Sequence, residues 1–225
     1  TGGNVSLYNE TDGEAIYPTP VIGMLGIVED VERVCRHAFT RTGDAIVLLG
    51  TNKGEMGGSE YAYVLHDLVA GDPPGVDLLA ERELQRAVLA MVKEDLLSSA
   101  HDCAEGGLAC TLAEAALGDG EHSFGIDVTL ADEIAPVPLL FGETQGRVVV
   151  SCRPDRLAHV AELAASHDMP CAQIGQVGAP VGSFRIRAGT SGVDVPVREL
   201  ADTFFGAIPA LMDSPDEATQ APDAS

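Results

Sequence analysis

Ala45-Ile46-Val47-Leu48-Leu49 is five apolar residues in unbroken succession, closed by Gly50 and a long glycine-rich loop. A run so short and so apolar reads as a buried strand. Residues 19–28 (TPVIGMLGIV) form a longer run of the same kind, with two glycines inside it, and Val148–Cys152 a shorter one. Trp is absent and aromatic residues make up 4%, so any core rests on Ala, Val, Leu and Ile. A chain of 225 residues is long enough for one large domain or two small ones.

Helical periodicity separates these runs. Residues 29–39 place Val31, Val34, Cys35 and Ala38 on one face. A helix is expected after the glycine-rich loop, through about Asp67. The longest pattern, 77–97, has Asp77 as N-cap and Leu84, Val88, Met91 and Val92 on one face. Residues 100–107 read as a polar loop before an Ala/Leu helix over 108–117. Pro154 suits the first turn of a helix to about Ser166, with Leu157, Val160, Ala161 and Ala164 facing inward.

Residues 5–8, 124–128, 171–177, 184–187 and 193–197 alternate as short strands, and 9–13 is a turn cluster. A last helix covers roughly 198–207, with Pro209 ending it. Strands and helices intermingle without the regular beat of a doubly wound sheet. The expected class is α+β: a mixed sheet with helices packed on one side. A boundary near Thr42 leaves 1–42 too short for a complete domain, gives 43–207 to the main one, and leaves 208–225 as a disordered tail. From Asp213 onward that tail has four acids, no base and no large apolar residue. The chain begins without Met and reads as an excised piece of a longer protein.

Asp plus Glu number 35 against 13 Lys plus Arg, a net charge of −22. Only two lysines are present, Lys53 and Lys93, and the arginines are scattered singly. Phosphate backbones need a cationic stripe, so nucleic acid is excluded as a partner, and so is an anionic membrane surface. No apolar run approaches the ~20 residues that span a bilayer. Five cysteines without a CxxC pair read as buried apolar residues in a reducing cytoplasm. His37, His66, His122, His159 and His167 stand isolated.

Four loops concentrate glycine with small polar and acidic residues. In Gly2-Gly3-Asn4-Val5-Ser6 the glycines allow close backbone approach, Asn4 offers a carbonyl oxygen to a hard cation, and Ser6 a hydroxyl. A glycine turn before a strand would look the same. Residues 54–60 could cradle an anion on backbone N–H groups, though no Walker A lysine follows. His101-Asp102-Cys103-Ala104-Glu105 could bind a metal or transfer protons, or could simply cap the next helix. Gly142-Glu143-Thr144-Gln145-Gly146-Arg147 sets Glu143, Gln145 and their neighbours between two glycines as a polar recognition string.

These loops, taken together and in this order, resemble the C-terminal half of the phosphoribosylformylglycinamidine synthase family. GGNVSLYNET with PTPVIGMLG, then GEMGGSEY, SAHDCAEGGLA with LAEA, and LFGETQGRVVVS carry the resemblance from Gly3 to about Ala207. Thr144 stands where Ser is usual, which keeps the hydroxyl, and Cys103-Ala104 where Val-Ser is common.

The resemblance implies a fold like that of aminoimidazole ribonucleotide synthetase, in which residues 1–42 end a second A-type, ATP-binding domain and 43–207 form the second B-type domain. It implies an ATP- and magnesium-dependent ligase that converts formylglycinamide ribonucleotide to the amidine with ammonia from glutamine. The expected partners are a glutaminase subunit, a small bridging subunit and the N-terminal half of the same protein. By motif match, Gly3 contacts ATP, Asn4 ligates Mg2+ and Ser6 contacts the ribonucleotide. The family's catalytic histidines lie in the first A domain, so no catalytic residue is expected here and this piece should not turn over alone. His101, Asp102, Glu143 and Gln145 belong to a second, pseudo-symmetric site that holds a structural nucleotide or nothing. The alternatives are a structural half with a non-catalytic nucleotide, or another superfamily member such as a thiamine-phosphate kinase or selenophosphate synthetase. With no basic face to help, nucleotide binding should depend strictly on the metal.

Overall fold

A computed structural model of the chain describes residues 3, 8–16, 21–28, 30–120 and 122–213. Two compact units are distinguished, Thr1–Glu32 and Arg33–Ser225. In the first, β1 (Glu10–Thr11) and β2 (Glu14–Ala15) pair antiparallel. Their turn is Asp12-Gly13, both left-handed at φ 53° and 82°, the two-residue connection that suits a hairpin. Most of the expected strand at 5–8 lies outside the described residues. Residues 21–28 are described but form no strand, and Val21, Met24 and Leu25 are at least nine-tenths exposed. The buried strand expected over 19–28 is therefore absent from the described part of the run, 21–28. An apolar strand needs a ladder beside it and layers over it, and neither meets the described part of this run.

The second unit is built on a seven-stranded sheet. Its strands are β3 (Ala45–Leu49), β4 (Ser99–Asp102), β5 (Phe124–Leu130), β6 (Val148–Cys152), β7 (Cys171–Pro180), β8 (Ser183–Ala188) and β9 (Ser191–Pro196). The order is β4-β6-β3-β7-β5-β8-β9. Every neighbouring pair is antiparallel except β5 with β8, so the sheet is mixed, as expected.

Helices cover both faces of that sheet, not one. The α-helices of the described residues are α1 (Glu60–His66), α2 (Leu78–Lys93), α3 (Gly107–Leu117), α4 (Pro136–Phe141), α5 (Leu157–Ser166) and α6 (Val197–Asp213), of which α2 and α5 pack on one face and α3 and α4 on the other. Strand β3 shows why. All five of its residues are buried. Ile46 and Leu48 join the cluster of Leu108, Leu112, Leu139 and Ile186. Ala45, Val47 and Leu49 point the other way, to Leu84 and Met91 of α2 and Val160 and Ala164 of α5. A strand with no polar face requires a layer on each side, each large buried side chain contributing about 1.5–3 kcal/mol. At the far end β5, β8 and β9 leave one face open, where Asp127, Arg185 and Asp194 stand in register and pair across the strands.

The helix expected over 29–39 is reduced to one 3-10 turn, Val31–Arg33. The backbone beyond it is drawn into other bonds: the Ala100 N–H donates to Arg36 O, and the Phe39 N–H to Ala115 O. Phe39 is buried in the larger core cluster. The second unit thus begins at Arg33, earlier than the boundary read near Thr42. Residues 99–102 pair with β6 as an edge strand, where a loop was expected over 100–107. In α5, Val160 and Ala164 are buried as expected while Ala161 is exposed. Pro209 does not end the last helix, which runs on to Asp213, so 208–213 do not belong to a disordered tail. Proline removes one N–H and leaves the Phe205 carbonyl without its helix partner, which is tolerable because that end of α6 is exposed. Residues 214–225 lie outside the described part.

Candidate functional site

Three loops meet at one end of β3 and β6, and the buried side chain of Arg147 ties two of them together. Its Nε donates to Thr144 O at 2.9 Å, Nη1 to Asn52 Oδ1 at 2.9 Å and Nη2 to Gly142 O at 2.7 Å. The guanidinium thus staples the 50–59 loop to the 142–147 loop, and burial pushes its pKa down. The third loop joins through the backbone, where the Cys103 N–H donates to Arg147 O at 3.0 Å.

Two carboxylates complete the interlock. Glu143 Oε1 accepts from the Glu60 N–H at 2.9 Å and the Gly106 N–H at 2.8 Å, so one oxygen serves the starts of both α1 and α3. Glu55 accepts the Gly75 N–H at 2.9 Å, a bond that holds its carboxyl below the usual range; its other oxygen is buried without a partner. The Glu55 carbonyl accepts the Glu143 N–H at 2.8 Å. Glycine is required where the loops touch. A Cβ on Gly50 would stand 2.1 Å from Gly146 O, and one on Gly107 2.6 Å from Gly142 O, and both have positive φ.

Two cavities flank Gln145 and Gly146. The smaller, about 280 Å³, is bordered by Glu81, Asp102, Glu105, Glu143, Gln145 and Arg147. It presents four carboxylates, and its one cation, Arg147, is buried with three N–H groups already donating. The larger, about 430 Å³, lies against α2 and includes Lys53, Glu83 and His167. Among the described residues no group of three or more His, Cys, Asp or Glu could hold a metal ion. The smaller cavity therefore offers a phosphate no disengaged cation.

Asp102, Glu143 and Gln145 are brought together around the smaller cavity. His101 is not. It lies outside the cavity lining: its Nε2 is 3.2 Å from Glu114 on α3, its Nδ1 is 3.4 Å from Asp102 Oδ1, and its ring meets His37 edge-on. Gly3 is described and exposed, and a Cβ placed on it would meet nothing within 4 Å. Asn4 and Ser6 lie outside the described residues. Sequence reasoning passed over Asn52 and Glu81, and took Glu55 only as part of the 54–60 loop. The signal for Asn52 and Glu55 was their place in the same glycine-rich loop; for Glu81, on a helix face, there was none.

The family model "AIR synthase related protein, C-terminal domain" matches residues 41–186. The phosphoribosylformylglycinamidine synthase subunit PurL of Moorella thermoacetica is 42% identical over 212 residues, 94% of this chain and 28% of the relative. Among solved structures, Thermotoga maritima PurL complexed with ATP is 25% identical with a TM-score of 0.57, over 76% of this chain and 28% of that one. The same protein complexed with FGAR gives 0.62 at 22% identity, over 87% and 32%, a likeness of fold alone. The chain spans less than a third of the length of these relatives. The match over 41–186, on a mixed sheet whose polar loops interlock at one end, places it: the chain belongs to the AIR synthase related family and carries that family's C-terminal domain.

Proposed function

We propose that this chain is the C-terminal portion of the synthetase subunit of a phosphoribosylformylglycinamidine synthase. The activity is ATP-dependent conversion of formylglycinamide ribonucleotide to the amidine, in which the amide oxygen is phosphorylated and ammonia then displaces phosphate. The observation that carries this reading is the 42% identity to PurL over nearly the whole chain, with the family-like strings forming one interlocked loop cluster.

In this reading Gly3 contacts ATP, Asn4 ligates magnesium and Ser6 contacts the ribonucleotide, in a site completed by the rest of a longer polypeptide. Magnesium would neutralise phosphate charge that a chain of net charge −22 has no basic face to meet. The described residues do positioning work. Arg147, Glu143 and Glu55 hold the loops in fixed relation, and Asp102 and Gln145 border the acidic cavity. That cavity, with four carboxylates and no disengaged cation, would serve as a structural part of the pseudo-symmetric half. A glutaminase subunit and a small bridging subunit supply ammonia, in the cytoplasm.

The test is a chimera in which this chain replaces the matching stretch of Moorella thermoacetica PurL, assayed for ATP-dependent amidine formation. Activity is expected, with a loss on the order of 100-fold or more for Asn4→Ala and a lesser one for Ser6→Ala. A folded but inactive chimera, or unchanged activity in Asn4→Ala, overturns the assignment.

A further inference from the structure

Helix α1 is a poor helix by any internal measure. It has seven residues, none of them buried, and an isolated helix of that length is unstable in water. It is nevertheless anchored at several points. The Ser59 side chain accepts the Ala62 N–H, Glu143 accepts the Glu60 N–H, and Tyr61 stacks on Phe141 at 4.9 Å between ring centres. The chain then turns at Asp67, in the left-handed conformation, and folds back so that the Gly58 N–H donates to Ala70 O. A Cβ on Gly57 would lie 1.8 Å from Asp72 O, so the returning segment packs backbone to backbone. Residues 57–72 thus form a defined lobe.

The lobe faces its apolar side chains outward. Tyr63, Val64, Leu65, Leu68 and Val69 are all more than half exposed. Solvated lobes are polar, and a contiguous exposed apolar surface of this kind marks an interaction site. The lobe's own charges have one sign: residues 57–72 contain Glu60, Asp67 and Asp72 and no Lys or Arg. A second copy would bring two acidic rims together, which costs free energy, so self-association is disfavoured. The matching surface has an apolar centre and a basic rim. The relatives that this chain matches are more than three times its length within single polypeptides, which supplies an occupant.

We propose that the 57–72 lobe is the surface on which the remaining part of the longer polypeptide docks, by an apolar patch rimmed with Lys or Arg. This rests on the functional reading above for the identity of the longer polypeptide. Because no residue of α1 is buried, charge can be placed there without disturbing the core.

The experiment uses the Moorella thermoacetica PurL chimera and its Val64→Asp/Leu65→Asp double variant, beside this chain alone with the same changes. Limited proteolysis and thermal unfolding report docking. In the chain alone the double variant should shift the unfolding midpoint by no more than about 1 °C. In the chimera it should raise the rate of cleavage between this segment and the rest by about tenfold or more, and the effect should grow with salt. Equal cleavage rates in chimera and variant overturn the proposal. So does an unsubstituted chimera whose segment is never protected, or a concentration-dependent dimer of the chain that the substitutions abolish. A protected but inactive chimera would leave docking standing and remove the functional reading; an active chimera indifferent to both substitutions would do the reverse.

Discussion

Two apolar runs in this chain have opposite fates. Ala45–Leu49 is buried residue by residue, with β6 and β7 on either side and a helical layer on each face. Residues 21–28, equally apolar, carry no ladder and stand open to solvent. Composition does not distinguish them. What differs is the supply of neighbours: the first has all of its partners within residues 33–213, and the second finds none among the described residues. An apolar run therefore says that a segment seeks burial and is silent about which chain provides it. The 57–72 lobe makes the same point on a fully folded scaffold.

The contrast can be broken at several places. The largest effect should come from Arg147→Met, which removes the staple at the end of the covered region and leaves Thr144 O, Gly142 O and Asn52 Oδ1 without their donor. Urea unfolding of the chain should show a loss of roughly 3–5 kcal/mol. A loss below about 1 kcal/mol would mean that the loops hold one another without it.

Next comes a matched pair. Leu49→Ala should cost about 2–5 kcal/mol, because the site is closed on every side, whereas Leu25→Ala should stay within about 0.5 kcal/mol. Equal costs would erase the distinction between the two runs.

A smaller effect concerns the layer that α2 and α5 place over β3. Two histidine–carboxylate pairs tie these helices at opposite ends, His167 with Glu83 and His159 with Glu94, each at 3.2 Å. His167 holds the Glu83 carboxyl below its ordinary range, helped by Arg82 and Arg86. A depressed carboxylate stabilises the fold above its unfolded pKa, and that stability fades as pH falls through the lower folded value. Glu83→Gln should thus lower the urea midpoint slightly at a pH of about 6, with the gap closing below a pH of about 4. A gap that persists at a pH of about 3 would assign the effect to packing instead.

Much of the main unit was legible in the sequence. The strands at 45–49 and 148–152, the Asp77 cap and the Ala/Leu helix at 107–117 all follow from local pattern, because each is decided by its own residues. The covering of both sheet faces was not expected, since helices were read on one side, although β3 has no polar face. Long-range competition was harder to see. Residues 36–39 leave a helical pattern to bond with Ala100 and Ala115, more than 60 positions away. The same holds for the site: GETQGR was conspicuous, but that Glu143 serves two helix starts and Arg147 two loops depends on which distant glycines allow backbones to meet. His101 and Asp102 stay paired at 3.4 Å, yet only Asp102 borders the cavity, because His101 also reaches Glu114 on α3.

Amide hydrogen exchange, followed on this chain alone and on the Moorella thermoacetica PurL chimera, tests most directly the claim that the uncovered surfaces are completed by a longer polypeptide. The prediction is strong protection at 45–49 in both, and at 21–28 and 60–66 only in the chimera. Protection of 21–28 in the chain alone, or its absence in a folded chimera, would contradict the account.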